Sequence, residues 1–234
     1  GGANIYTGLT TISTGVIQIT NSDALGSVSA GGAGSSNTIV SDGAALEINV
    51  ASTTIVPETL NIYGLGFVET NANGAIRMIT ASNATISGPI NILSAARINN
   101  TAGGTLTFQT GAFTNSNGVS FGMTSTGGIT VNSIISGAGS LTKDGTTSGR
   151  LILGGANTYQ GTTSITQGFL QITNSDALGS VSAGGAGAST TTISDGAALE
   201  LNGTATITVP EIINANGNGV SGTPGAIRQI HATN

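Results

Sequence analysis

The chain is 234 residues long, and only 6% of it is charged, five Lys or Arg against ten Asp or Glu. A soluble domain usually carries about 25% charged residues, so polarity here comes from Thr, Ser, Asn and 38 glycines rather than from ions. Low charge with ample aliphatic content argues against disorder, and no apolar run approaches the ~20 residues of a membrane helix. A net charge of −5 leaves little to neutralise phosphates, which argues against nucleic acid as a partner. Cysteine is absent, which excludes disulfides and thiolate metal sites.

In chain order, short bursts of alternating apolar residues read as strands: Val16–Thr20, Ala45–Asn49, Thr59–Gly64, Ala75–Ile79, Pro89–Leu93, Thr105–Phe108, Gly118–Phe121, Ile129–Val131 and Leu151–Leu153. Each is bounded by Gly, Asn, Ser or Asp, and landmark pairs recur roughly every twenty to thirty residues or multiples of that. No stretch keeps a helical period for three turns.

Self-comparison shows a long internal repeat. The opening segment from Gly1 returns from Gly154, an offset of 153, and Gln18–Gly34 recurs unchanged as Gln171–Gly187. Ser41–Asn49 returns as Ser194–Asn202, and Gly74–Ile79 as Gly225–Ile230. The expected organisation is a first solenoid unit at 1–153 and a partial second copy at 154–234, forming one continuous solenoid. A stack of coils explains such copying, because each rung meets a similar environment. The expected fold is therefore all-β, a right-handed parallel β-helix built from a ~153-residue repeat; handedness follows from the general crossover rule. Rungs at about 4.8 Å would give a rod of roughly 50 Å. Neither end of the sequence reads as a cap, so the chain is expected to be a piece of a longer one or to stack head to tail.

Leu141–Ile172 resembles the autotransporter-associated β-strand repeat, also called the passenger-associated transport repeat. Leu141, Lys143, Gly145, Leu151, Leu153, Gly155, Asn157, Thr158, Tyr159, Gly161, Thr163, Ile165, Gly168 and Leu170 fall in step with its pattern, with a two-residue insertion between Gly145 and Gly149. The first copy matches from Gly2 to Ile17, including Asn4, Tyr6, Gly8 and Gly15, with Ile5 in place of the Thr before the tyrosine. The resemblance implies a β-solenoid passenger of a bacterial outer-membrane autotransporter or large surface protein, extracellular, without an implied reaction. The residues it marks are read as structural.

Asp23, Asp42, Glu47 and Glu58 recur as Asp176, Asp195, Glu200 and Glu211. Copying with the unit argues for construction rather than catalysis. Asp42 is expected in a turn, and Glu47 and Glu200 are expected to face solvent beside buried Leu46 and Leu199. Lys143 and the four arginines look scattered, Tyr6 and Tyr159 are expected to pack over a corner, and His231 stands alone. GGAGSSN (31–37) and GGAGAST (184–190) lack the Lys-Ser/Thr of a phosphate loop and read as loops between repeats. Thr204, Thr206 and Thr208, with Thr105 and Thr107, are too few for an ice-binding array. Asn4, Asn21, Asn49, Asn157, Asn174 and Asn202 are expected at strand ends or turns, some in amide ladders.

These readings give a structural segment of an extracellular fibre, stalk or passenger, with no enzyme activity, cofactor or metal. Expected partners are identical or neighbouring units end to end, with no nucleic acid and no membrane insertion by this segment. The alternative is an adhesin that binds a glycan or surface protein through a lateral face, and a β-helix carbohydrate-active enzyme comes third.

Overall fold

The computed structural model describes residues 2–26, 37–68, 73–180 and 190–230. Among them there is no helix, and strands follow one another around a three-sided coil. The first rung has β1 (Thr10–Ile12) and β2 (Gly15–Ile19). Next come β3 (Asn37–Val40), β4 (Ala44–Ile48) and β5 (Thr54–Val56), then β6 (Thr59–Ile62), β7 (Ile76–Met78) and β8 (Ala84–Ile86). Three regular rungs follow: β9 (Ile90–Ile92), β10 (Ala96–Asn100) and β11 (Thr105–Phe108); β12 (Phe113–Asn115), β13 (Val119–Met123) and β14 (Gly128–Val131); β15 (Ile135–Ser136), β16 (Leu141–Gly145) and β17 (Arg150–Leu153). The last rungs carry two strands each: β18 (Thr163–Ile165) with β19 (Gly168–Ile172), β20 (Thr190–Ile193) with β21 (Ala197–Leu201), and β22 (Ile212–Ala215) with β23 (Ile227–Gln229).

Every ladder between these strands is parallel. The first sheet runs β1-β3-β6-β9-β12-β15, the second β2-β4-β7-β10-β13-β16-β18-β20-β22, and the third β5-β8-β11-β14-β17-β19-β21-β23. The architecture is a parallel β-helix. A turn takes 22 residues where Asn37 meets Thr59 and 30 where Leu60 meets Ile90. Nine strands in the second sheet, at about 4.8 Å each, make a stack about 40 Å long.

Alternation sends one residue in two inward, and register stacks them in columns. Leu46, Ile76, Ile98 and Phe121 form one column, and Val56, Ile86, Phe108, Val131, Leu153 and Ile172 another. All are buried. Three phenylalanines, one from each sheet, meet in the middle of the coil: Phe108 and Phe113 edge to face at 5.5 Å, with Phe121 6.0 Å from Phe113. At strand ends the column residue is often asparagine. Asn100 donates to Gly104 O and Gly128 O, and Asn115 donates to Ser140 O while accepting from Gly118 N, so corner backbone groups find partners inside the coil.

The two sequence copies do not occupy the same faces. Thr10–Ile12 and Thr163–Ile165 are equivalent, yet β1 lies in the first sheet and β18 in the second. Likewise β2 and β4 lie in the second sheet while their counterparts β19 and β21 lie in the third. The copy is displaced by six turns and one further face.

The expected burial of Leu46 and Leu199 is observed, but Glu47 and Glu200 do not face solvent. Glu200 is fully buried, and the Glu47 side chain is largely covered. The reason is arginine on the neighbouring strand. The six repeated asparagines lie outside strands, as expected. Of the six, Asn49 donates its amide to Gln18 Oε1 on the rung before, at 3.2 Å, and a further amide pair outside the six joins Asn91 to Asn61 within the first sheet, at 2.9 Å.

Candidate functional site

The repeat motif builds a three-rung staple. Asn157 accepts from Ile135 N at 2.8 Å on the rung beneath and donates to Ala177 O at 2.6 Å on the rung above; its own N–H donates to Asp176 O. Thr158 N donates to Ile135 O. Tyr159 is buried, with its hydroxyl 2.6 Å from Thr163 Oγ1 and its ring under Gly179. Burial pushes that phenol well above its usual pKa. Gly161 lies against the backbone of Gly139, and a Cβ at Gly155 would come 2.5 Å from Ser133 O. Gly168 turns the corner with φ +73°.

The first copy repeats this geometry with less cover. Asn4 donates to Ala24 O at 2.7 Å, Asn4 N to Asp23 O, and the Tyr6 hydroxyl lies 2.7 Å from Thr10 Oγ1. Tyr6 is 41% exposed and Ile5 88%. Gly15 has the same φ of +73°, and added Cβ atoms at Gly8 or Gly15 would meet nothing.

The arginines that looked scattered are paired. Arg77 binds Glu47 across the β4–β7 register, and Arg228 binds Glu200 across the β21–β23 register. Arg150 also binds Glu200, at 2.8 and 3.1 Å, and the Phe169 ring lies between the two guanidiniums, 5.1 Å from Arg150 and 4.8 Å from Arg228. Burial alone would raise the Glu200 pKa, but the two arginines outweigh it and hold the carboxyl below its usual range. Arg97 reaches past Gly122 to grip Asp144 through both nitrogens. Lys143 sits in the core column between Phe121 and Ile165, donating to Asp144 O and Gln167 O, and burial brings its pKa down to about 8.

The repeated aspartates have structural places. Asp42 and Asp195 sit in turns, with their carboxylates against Gly64 and Gly217, which have φ of +76° and +81°. Glu58 and Glu211 point into the coil instead and are buried, an arrangement the alternation did not reveal because each stands at a corner after proline. A concavity of about 490 Å³ lies on the second sheet and is lined by Leu65, Asn73, Arg97, Asn99, Ser120 and Thr124. Among the described residues no three His, Cys, Asp or Glu side chains converge. His231 lies outside the described residues, as do both glycine-rich loops except Asn37 and Thr190.

The family model of the passenger-associated transport repeat matches residues 1–19 and 141–172. These two segments carry that repeat. They include both asparagine–tyrosine staples and the Lys143 strand. The passenger-associated transport repeat is associated with autotransporter passengers, and its presence supports a surface or secreted passenger role. No curated protein and no solved structure gives a significant match.

Proposed function

We propose that this chain is a structural segment of a surface-displayed fibre or stalk, with no reaction of its own, whose ends meet identical or neighbouring repeat units. The carrying observation is the second sheet, in which nine parallel strands succeed one another from β2 to β22 without a break. All four arginines are held by carboxylates of the coil itself. Solution scattering over a concentration series tests this reading. A rod that lengthens along one axis supports it; a compact particle that stays monomeric at high concentration opposes it.

The 490 Å³ concavity favours one alternative, an adhesin face for a glycan or surface protein. Arg97, Asn73 and Ser120 offer polar groups there, without an aromatic platform. A glycan array in which binding is lost on Ser120→Trp would support that alternative.

A further inference from the structure

Among the described residues the same three buried oxygens lack hydrogen-bond partners in each copy. They are Thr38 Oγ1 with Glu58 Oε1 and Oε2, and Thr191 Oγ1 with Glu211 Oε1 and Oε2. Buried polar atoms nearly always find partners, so an identical set left over in both copies marks a built feature. We propose that each copy holds a calcium-type cation inside the corner of the coil, bound by Glu58 with Thr38 and Asp23 in the first copy and by Glu211 with Thr191 and Asp176 in the second.

Register sets each threonine and its glutamate on neighbouring rungs of the coil. Thr38 partners Leu60, two residues after Glu58 on the same inward face, and Thr191 partners Ile213, two after Glu211. Glu58 and both threonines are fully buried, whereas Asp23 and Asp176 are exposed. The aspartates belong to the same corner: Asp23 O and Asp176 O accept from Asn4 N and Asn157 N, and Tyr6 and Tyr159 of those staples reach Thr10 and Thr163, the Cα partners of Thr38 and Thr191. Burial pushes Glu58 up to about 7; its own backbone N–H offsets part of this without closing a hydrogen bond of normal geometry, and the charge of Asp23 adds a smaller rise. Glu211 is raised by burial and by Asp176 in the same way. A divalent cation removes both penalties together, because it replaces lost hydration and cancels the repulsion between the carboxylates. The donor set is all oxygen, with no His or Cys, which suits a hard ion. Two carboxylates and a hydroxyl leave part of the shell to water and backbone carbonyls. Calcium tolerates that irregular arrangement, whereas magnesium demands a near-ideal octahedron.

The chain has three tyrosines and no tryptophan, and Tyr159 lies close enough to Glu211 to feel its charge. Terbium, a calcium surrogate, should therefore be excited through tyrosine. Titration of the intact chain should give sensitised emission that saturates at two ions per chain and is displaced by excess calcium. Glu58→Gln with Glu211→Gln should abolish it. Asp23→Asn with Asp176→Asn, at exposed positions that keep the fold, should weaken binding by about tenfold or more. Absence of sensitised emission together with a melting temperature unmoved by calcium would overturn the proposal, as would emission undiminished in a folded Asp23→Asn/Asp176→Asn chain.

Discussion

Glu200 stands opposite Arg228 on adjacent strands at the same register that sets Glu47 opposite Arg77. The pair has been carried with the unit, yet it lies on the third sheet in one copy and on the second in the other. Two of the three faces of the coil therefore accept the same strand-to-strand construction.

Removing Glu200 leaves two arginine charges facing each other over Phe169. Breaking a buried pair costs about 3–5 kcal/mol, but Arg150 is 38% exposed and water screens it, so Glu200→Ala should cost about 2–3 kcal/mol in denaturant unfolding. Because its folded pKa is depressed, the Glu200 contribution is present above the ordinary carboxylate pKa and is lost as pH falls through the lowered value. Acid titration of wild type against Glu200→Gln checks this.

Asn157→Ala strands a buried Ile135 N–H and the Ala177 carbonyl at once, and should cost about 2–4 kcal/mol. Asn4→Ala, at an exposed site with one side-chain bond, should cost about 1 kcal/mol. Equal losses in unfolding experiments would contradict the three-rung role of Asn157.

Gly15 and Gly168 share φ +73°, but a Cβ at Gly15 meets nothing while one at Gly168 comes 2.5 Å from Thr146 O. Gly15→Ala should cost the left-handed penalty alone, about 1–2 kcal/mol. Gly168→Ala should cost clearly more, as read by the shift in unfolding midpoint.

Two buried groups act in opposite directions on the pH profile. Glu58 is raised to about 7, so its contribution is complete below the ordinary glutamate pKa and is lost as pH rises through 7. Lys143 is lowered to about 8, so its contribution is complete above the ordinary lysine pKa and is lost as pH falls through 8. In chelator-treated buffer, stability should pass through a minimum between pH 7 and 8. Lys143→Met should remove the alkaline limb, which is on the order of 3 kcal/mol.

Much of the fold was legible because alternation and copying are local properties. Leu46 and Ile48 announce an inward face, and so do Leu151 and Leu153. Strands such as β12 and β15 were not legible, since two or three residues with one apolar side chain carry no period. Alternation also says which side of a strand leaves the core, but not that Arg150, Phe169 and Arg228 will cover it, so the burial of Glu200 was missed. The inward carboxylates of Glu58 and Glu211 escaped for a related reason: a corner residue after proline belongs to no strand. The displacement of the second copy depends on counting faces across the whole unit.

That displacement is the most direct test of the coil as described. Thr142 and Ser164 are Cα partners on outward positions of β16 and β18, whereas Ser136 lies on β15 in the first sheet. The chain has no cysteine, so introduced pairs report without background. Under mild oxidation, Thr142→Cys/Ser164→Cys should form an intramolecular disulfide, read by intact mass, and Ser136→Cys/Ser164→Cys should not. Cross-linking of the second pair and not the first would place β18 over β15, and would contradict the one-face shift between copies.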